Sequence, residues 1–265
     1  MGAPGAAIGG PLARRHALVT GGARGIGAAI TRALLDLGAR VTILGRDAQS
    51  LESAASNLGA SRPIYGVRAD VSEPDGVAGA FASARARFGP IEILVNNAGQ
   101  AASAPIRKTD PALWRRLMSV NLDGTYYCIH EAVPDMVTAG WGRIVNVAST
   151  AGLAGYSYVS AYCASKHGVI GLTRALAVEL ATAGVTVNAV CPGYTDTAMV
   201  GAAVETIVAK TGRTAAQATA ELVARNPQRR LIQPQEVANA VTWLCLPGSE
   251  AVTGQAIAVA GGEVG

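Results

Sequence analysis

The chain has 265 residues, of which 50% are hydrophobic and 15% are charged, and its formal net charge is +4. This composition supplies enough apolar surface for a large core and excludes a disordered, highly solvated polypeptide. The Lys and Arg residues are scattered and form no dense run with interleaved aromatics, so nucleic acid is not an expected partner. No apolar stretch reaches the ~20 residues that a transmembrane helix needs, and we expect no membrane partner.

Short β-branched runs alternate with Ala- and Leu-rich segments of helical spacing, which is typical of repeated βα units. The predicted strands are residues 16–20, 40–44, 64–69, 91–96, 143–148, 185–190 and 255–259. The predicted helices are residues 26–37, 49–58, 77–88, 111–139, 161–183 and 234–246. This alternation predicts an α/β fold with a Rossmann-type, doubly wound, mainly parallel sheet covered by helices on both faces. Ligands of such sheets bind beyond the carboxyl ends of the strands.

Two segments stand outside this alternation. Residues 1–11 are mostly Gly, Ala and Pro, without the basic start or apolar core of a signal peptide. We expect a flexible N-terminal segment there, followed by a single domain over residues 12–265. Residues 196–233 contain helical Ala-rich stretches but no convincing strand, and we expect them to form a lid over the active site.

The cysteines bear on the compartment and on metal binding. They lie far apart, with no CxxC pair and no nearby His at metal-ligand spacing: Cys128, Cys163, Cys191 and Cys245. This spacing predicts reduced thiols in a cytoplasmic protein and no metal site.

A glycine-rich turn, residues 20–27, follows the first predicted strand and opens a helix; we call it the glycine turn. Gly21 permits a tight bend, and Gly25 and Gly27 let the backbone and the helix N-terminus approach a pyrophosphate. Such turns also occur where nothing binds, but the position in the first βα unit favours a cofactor site. Its candidate cofactor-binding residues are Gly21, Ala23, Arg24, Gly25, Ile26 and Gly27.

The end of the second strand indicates which cofactor is bound. Gly45 occupies the place where a NAD-binding fold would put an acidic side chain against the ribose. Arg46 follows with a guanidinium suited to a 2′-phosphate, and Arg24 adds a second positive charge. Asp47 would support NAD instead, but its position before a predicted helix makes it a natural N-cap. NADP(H) is therefore predicted over NAD(H).

Further candidate cofactor-binding residues follow the third and fourth strands, where adenine and ribose would lie. Asp and Asn at such places are also ordinary turn formers when each is considered alone. The candidates are Asp70, Val71, Asn97, Ala98 and Gly99.

Four residues form a candidate catalytic set. Tyr162 and Lys166 are four apart in a predicted helix, so both side chains project from one face. A free tyrosine titrates at about 10, and a neighbouring ammonium is expected to lower the pKa of Tyr162 by stabilising its phenolate. Ser149, at the end of the fifth strand, would donate a hydrogen bond to a substrate oxygen, and Asn121 would position a water leading to Lys166. Each residue alone is more readily structural, but their joint placement near strand ends favours catalysis.

Taken together, these motifs resemble the motif set of the short-chain dehydrogenase/reductase family. The resemblance covers about residues 17–262, and the catalytic four show no departure from the family pattern. It rests on residues 20–27, 96–99 and 162–166, together with Asn121, Ser149, Pro192 and Gly193.

The resemblance implies a seven-stranded sheet and a homotetramer or homodimer built on the long helices. It implies that the backbone after Pro192 and Gly193, with the hydroxyl of Thr195 or Thr197, holds the nicotinamide carboxamide. It also implies that Lys166 holds the ribose, and that Tyr162 protonates the carbonyl oxygen as hydride reaches the carbon.

The substrate is less clearly indicated. Residues 142–193 look most like the 3-oxoacyl thioester (coenzyme A or carrier-protein) and polyketide ketoreductases. A group of basic residues in the lid would meet the phosphates of such a substrate, although a solvated helix face has the same pattern: Lys210, Arg213, Arg225, Arg229 and Arg230.

Two alternatives remain open. One is a dehydrogenase of a cyclic or aromatic secondary alcohol, with Leu153, Tyr156 and Tyr158 lining an apolar pocket. The other is a dinucleotide-binding regulator that catalyses no reaction. The intact pair of Tyr162 and Lys166 argues against this alternative.

Overall fold

The computed structural model describes residues 9–58 and 62–264, so residues 1–8 of the predicted N-terminal segment lie outside the described residues. The described part of the chain forms one α/β domain around a seven-stranded sheet. The strands are β1 (His16–Thr20), β2 (Arg40–Gly45), β3 (Ile64–Arg68), β4 (Ile93–Asn96), β5 (Gly142–Val147), β6 (Val185–Pro192) and β7 (Ala256–Val259). The helices are α1 (Gly25–Asp36), α2 (Ala48–Leu58), α3 (Pro74–Phe88), α4 (Pro111–Met118), α5 (Gly124–Ala139), α6 (Ser160–Leu180), α7 (Ala198–Thr211), α8 (Ala215–Leu222) and α9 (Pro234–Cys245).

The sheet has the order β3-β2-β1-β4-β5-β6-β7, and every neighbouring pair is parallel. The predicted fold class is therefore confirmed, with a sheet that is wholly parallel. The chain runs outward from β1 to β3 and then returns to pair β4 with the other side of β1. At this reversal two neighbouring loops leave the sheet in opposite directions and open a crevice beyond the carboxyl ends of β1 and β4.

Two buried apolar clusters cover the two faces of the sheet. One contains Ile30 of α1 and Val241 of α9, and the other contains Phe81 of α3 and Ile129 of α5. Successive residues of β4 alternate between the clusters, because side chains along a strand point to opposite faces. Burial on both faces explains why the central strands consist of nearly continuous apolar residues.

The predicted helix over residues 111–139 is wrong in one respect. It is divided into α4 and α5 by a π-helical turn, Ser119–Asp123, in which the Gly124 amide bonds to the Ser119 carbonyl five residues back. The extra residue widens the helix locally, and the sequence on both sides has helical character, so the pattern alone did not reveal the turn. Asn121 lies inside this turn.

Several strand boundaries also differ from the prediction by one or two residues, and β6 continues to Pro192, two residues beyond its predicted end. β4 begins at Ile93, two residues later than expected. The Ile91 amide donates to the Asp135 carboxylate at 2.9 Å and so takes a side-chain acceptor.

The segment predicted to form a lid, residues 196–233, contains α7 and α8, as its helical pattern predicted. Its two ends are joined by an isolated parallel bridge between Thr195 and Ile232. The segment is therefore an excursion from the sheet edge that leaves and returns at one place. Within the two described ranges, no helix has the length and apolar character required to cross a membrane.

Candidate active site

The glycine turn has the geometry of an anion-binding loop. Gly21 and Gly25 have φ values of +64° and +54°, which side-chain-bearing residues rarely adopt. A Cβ on Gly27 would lie 2.2 Å from the Gly21 carbonyl oxygen, so only glycine fits there. No side chain caps α1 at Arg24, which leaves the first-turn amides of the helix directed into the crevice.

The glycine turn is held to β4 by a reciprocal set of hydrogen bonds. The Thr20 hydroxyl accepts from the Asn97 and Ala98 amides at 3.0 and 2.9 Å. The Asn97 side-chain amide donates to the Thr20 and Gly21 carbonyls at 2.9 and 3.2 Å. Asn97 thus shapes the turn, and a direct contact of Asn97 with the cofactor stays a prediction.

The end of β2 carries the charges that the sequence singled out. The Arg46 side chain is 59% exposed, with Nη1 3.6 Å from the Asp70 carboxylate. Asp47 accepts hydrogen bonds from the Gln49 and Ser50 amides at 3.3 and 3.2 Å, which confirms its interpretation as an N-cap. A hydrogen bond with Ser50 lowers the pKa of Asp47. This carboxylate is therefore engaged by α2, while Arg46 faces solvent at the rim of the crevice.

The candidates after β3 have different surroundings. Asp70 accepts from the Ser72 amide and hydroxyl at 3.0 and 2.7 Å, which fixes the turn that it begins. Val71 is buried, and a Cβ on Gly124 would lie 2.9 Å from its Cγ2. Any contact of Val71 with a cofactor would therefore involve its backbone.

Three segments bring the candidate catalytic residues together. Ser149 follows β5, Tyr162 and Lys166 lie on α6, and Asn121 lies in the π-helical turn. Lys166 Nζ donates to the Val147 carbonyl at 2.9 Å and lies 5.8 Å from the centroid of the Tyr162 ring. A Cβ on Gly99 would lie 3.2 Å from Asn121 Oδ1 and 3.6 Å from Lys166 Nζ, so these residues meet at one point.

Asn121 joins the loop after β4 to α6. Its Nδ2 donates to the Gln100 carbonyl at 2.9 Å and to the Ser165 hydroxyl at 3.0 Å, and its Oδ1 accepts from the Gln100 amide at 2.8 Å. Both side-chain donors are thereby committed to the protein. A water leading from Asn121 to Lys166 stays a prediction.

The expectation that Lys166 lowers the pKa of Tyr162 is wrong in this structure. Burial raises the pKa of Tyr162, and a hydrogen bond with Ser149 offsets part of the rise. Burial lowers the pKa of Lys166 to about 8. Desolvation is the largest cause of both shifts, and the Lys166 ammonium donates its hydrogen bond to the Val147 carbonyl and not to the phenol.

The segment after β6 forms the opposite wall of the crevice. Beyond Pro192, the Gly193 amide donates to the Val259 carbonyl at 3.1 Å, and the Thr195 hydroxyl donates to the Gly193 carbonyl at 3.0 Å. Thr197 is the N-cap of α7, and its Cγ2 would be 3.3 Å from a Cβ on Gly25. Residues 193–197 therefore border the crevice and approach the glycine turn closely at Thr197 and Gly25.

The arginines of the predicted lid do not form a single basic cluster, because they have different partners. Arg213 is paired with Glu221, and Arg230 forms two hydrogen bonds of 2.6 Å with Glu236. Arg225 instead lies over the Tyr156 ring, with its guanidinium carbon 4.5 Å from the centroid.

The sequence reasoning missed Glu263. Its Oε1 accepts a hydrogen bond of 2.6 Å from the Tyr156 hydroxyl, and its Oε2 would lie 2.9 Å from a Cβ on Gly193. One signal in the sequence could have found it: Glu263 comes shortly after β7, and the carboxyl end of that parallel strand lies at the same edge of the sheet as the site. This carboxylate joins the loop after β5 to the segment after β6.

Fold and site define a class of protein. A doubly wound parallel sheet with a glycine turn on a helix N-terminus at the strand-order reversal is the architecture of dinucleotide-dependent enzymes.

Comparison with known proteins gives the family. A family model described as short chain dehydrogenase matches residues 15–208. The cis-4-hydroxycyclohexanecarboxylate dehydrogenase of Sinomonas cyclohexanicum is 40% identical over 257 residues, which are 96% of this chain and 98% of that protein. The acetoacetyl-CoA reductase of Rhizobium meliloti (strain 1021) is 38% identical over 94% of this chain and 98% of its own length.

A solved structure agrees with these relatives. A variant of the actinorhodin polyketide ketoreductase with NADPH is 37% identical and matches with a TM-score of 0.91, covering 97% of this chain and 99% of that chain. The chain belongs to the short-chain dehydrogenase/reductase family, as its motifs predicted, and it is an oxidoreductase. The alternative of a regulator without turnover finds no support here.

Replacing Thr20 tests the bonds that hold the glycine turn. Thr20→Val removes the acceptor of two backbone amides in a buried place, so we expect the free energy of unfolding to fall by about 1–3 kcal/mol. Urea denaturation followed by circular dichroism measures this change. Thr20→Ser keeps the hydroxyl and should recover most of the loss; equal stability of the two variants would contradict the assignment.

Proposed function

We propose that this protein interconverts a ketone and a secondary alcohol with NADP(H), using Tyr162 as the acid and base. The observation that carries the proposal is the cluster of Ser149, Tyr162 and Lys166 at the carboxyl edge of the sheet, facing the crevice beside the glycine turn. A nicotinamide lying in that crevice would bring its reactive carbon close to a substrate oxygen held by Ser149 and Tyr162.

The residues present fit a phosphorylated dinucleotide. The uncapped N-terminus of α1 and the tight glycine turn suit the pyrophosphate, since Gly21 and Gly25 have positive φ and Gly27 approaches the Gly21 carbonyl too closely for any side chain. The exposed guanidinium of Arg46 suits a 2′-phosphate, and the engagement of Asp47 by α2 removes the competing carboxylate. The NADPH in the similar ketoreductase structure supports the same assignment. When bound, this cofactor supplies hydride to the substrate carbon or accepts hydride from it.

The chain's own residues would manage the proton. Tyr162 retains its proton at neutral pH because burial raises its pKa, which suits protonation of a carbonyl oxygen during reduction. The Ser149 hydroxyl would donate to the same oxygen and stabilise the charge that develops there. Lys166, close beneath the tyrosine, would hold a ribose hydroxyl and restrain the phenol from one side. Gly193, Thr195 and Thr197 would hold the carboxamide.

The proposed substrate is a 3-oxoacyl thioester of coenzyme A or of a carrier protein. The acetoacetyl-CoA reductase and the polyketide ketoreductase among the similar proteins support it. A cyclic secondary alcohol is the second candidate, because Tyr156 and Tyr194 give the entrance an aromatic wall and a similar protein is a hydroxycyclohexanecarboxylate dehydrogenase. Oxidation of NADPH and NADH with acetoacetyl-CoA and with an aryl ketone, in parallel, distinguishes the two.

We also propose a homodimer or homotetramer built on the long helices in the cytoplasm. Large apolar side chains are exposed on α5 and α6, including Tyr126 at 49% and Val178 at 81%. Contact between copies would remove this surface from water. All four cysteines are free thiols, which supports a reducing compartment.

Replacing Tyr162 tests the proton transfer. In Tyr162→Phe the donor is lost while the ring is kept, so we expect kcat to fall by about 100- to 10,000-fold. Steady-state kinetics measures this fall, and NADPH fluorescence should show nearly unchanged cofactor binding. Turnover close to that of the unmodified protein would overturn the mechanism.

Replacing Arg46 tests the cofactor assignment. Arg46→Ala removes a charge-assisted contact to the 2′-phosphate, so KM for NADPH should rise by about tenfold or more. KM for NADH in the same variant is the internal control and should change little. An unchanged ratio between the two cofactors would contradict the role of Arg46.

The pH dependence of reduction follows from Lys166. Because burial lowers the pKa of Lys166 to about 8, its positive charge is present below that pH and is lost as the pH rises through it. Tyr162 keeps its proton over this range, since its pKa is raised. We therefore expect kcat/KM with saturating NADPH to be level below pH 7 and to fall above about 8.

The matched variant is Lys166→Arg, which keeps a cation at every pH of the measurement. Its profile should lose the decline at about pH 8, whatever its absolute rate. A decline that persists unchanged in this variant would assign the titration to another group.

A further inference from the structure

We infer that Arg225, stacked on Tyr156, binds an anionic group, a carboxylate or a phosphate, at the end of the substrate remote from the reacting carbon. The inference rests on the proposed function and adds the class of substrate to it: a ketone or alcohol that carries a negative charge.

Arg225 is held in place by a short chain of contacts. Its guanidinium carbon lies 4.5 Å from the centroid of the Tyr156 ring, and its Nη1 donates to the Gly155 carbonyl at 3.4 Å. The Tyr156 ring is itself fixed by the 2.6 Å hydrogen bond from its hydroxyl to Glu263. Stacking and this anchored ring restrict the orientation of the guanidinium plane, which reduces the entropy lost when it binds a ligand.

The charge of Arg225 is not matched by a bonded carboxylate. Arg213 and Arg230 of the same segment are paired with Glu221 and Glu236, whereas Arg225 has no carboxylate within 4.0 Å in residues 9–58 and 62–264. Glu263 directs Oε1 at the Tyr156 hydroxyl instead. A guanidinium has five N–H donors, and the described contacts use one of them, so the others can bind an anion in the planar, two-point manner that carboxylates and phosphates share.

The position of Arg225 is at the entrance of the proposed active site. Gly155 and Tyr156 belong to the loop that begins at Ser149, and Glu263 touches the segment that begins at Gly193. Arg225 therefore lies beside the loop after β5, next to the tyrosine through which Glu263 joins that loop to the segment after β6.

The charges connect this position with the catalytic tyrosine. Burial raises the pKa of Tyr194, and the charge of Arg225 acts against that rise. Tyr194 in turn is one of the groups that raise the pKa of Tyr162. Tyr194 therefore lies within electrostatic range of both Arg225 and Tyr162, as one substrate that contacts both residues would require.

The test uses two pairs of ketones that differ in charge. 4-Oxocyclohexanecarboxylate is compared with its methyl ester, and acetoacetyl-CoA with the neutral N-acetylcysteamine thioester of acetoacetate. In Arg225→Gln, kcat/KM for an anionic member should fall by about tenfold, mainly through KM, while its neutral partner changes less than about twofold. A fall confined to the ring pair identifies a carboxylate ligand, and a fall confined to the thioester pair identifies a phosphate.

The matched control is Arg87→Gln. Arg87 also lies over an aromatic ring, with its guanidinium carbon 5.4 Å from the Phe88 centroid, but it is in the last turn of α3, so its replacement removes the same charge at a place outside the proposed subsite. It should leave both ratios unchanged. Equal losses for anionic and neutral substrates in Arg225→Gln, or the same loss of preference in both variants, would overturn the inference.

A binding measurement separates this inference from the proposed function. Cyclohexanecarboxylate and 4′-phosphopantetheine are titrated calorimetrically into the unmodified protein and into Arg225→Gln, each saturated with NADPH. Binding of either anion that weakens by about tenfold in the variant supports the subsite even if no ketone is reduced. Equal binding of both anions to the two proteins refutes the subsite, while turnover of the neutral ketones would leave the proposed function standing.

Discussion

The hydrogen bonds between Thr20 and the loop after β4 are the constraint on which the cofactor crevice depends. β1 and β4 are neighbours in the sheet but distant in sequence, and the chain reverses its direction of winding between them. Thr20 and Asn97 join the two segments across this seam, the junction between the end of β1 and the loop after β4, because the side chain of each forms hydrogen bonds with the backbone of the other segment. With the seam closed, Gly21 can take its left-handed conformation, Gly27 can approach it, and the helix N-terminus is aimed into the crevice.

Burial has a similar importance for the candidate catalytic cluster of Asn121, Ser149, Tyr162 and Lys166. Asn121 leaves the regular helix at the π-helical turn and locks the loop after β4 onto α6. Lys166 lies beneath Tyr162 with its ammonium on the Val147 carbonyl, in surroundings that favour the uncharged form of both side chains. The same desolvation therefore keeps Tyr162 protonated and makes Lys166 lose its proton more easily.

Much of this arrangement could be predicted from the sequence, because its signals are local. Strands buried on both faces are short runs of apolar residues, and the glycine turn shows its steric requirements in its composition. The π-helical turn left no such signal, since an inserted residue at Ser119–Asp123 keeps the helical spacing on either side. The pKa of Tyr162 could not be obtained from the four-residue spacing to Lys166, because it depends on how deeply the fold buries both groups. Glu263 was missed because its bond to Tyr156 joins residues 107 positions apart.

The return of the C-terminal residues to the site has a practical consequence for handling the protein. Glu263 bonds to Tyr156 and touches Gly193, so anything attached just beyond it starts at the rim of the crevice. An affinity tag or a fluorescent fusion placed there would compete with substrate for space and would alter the local charge.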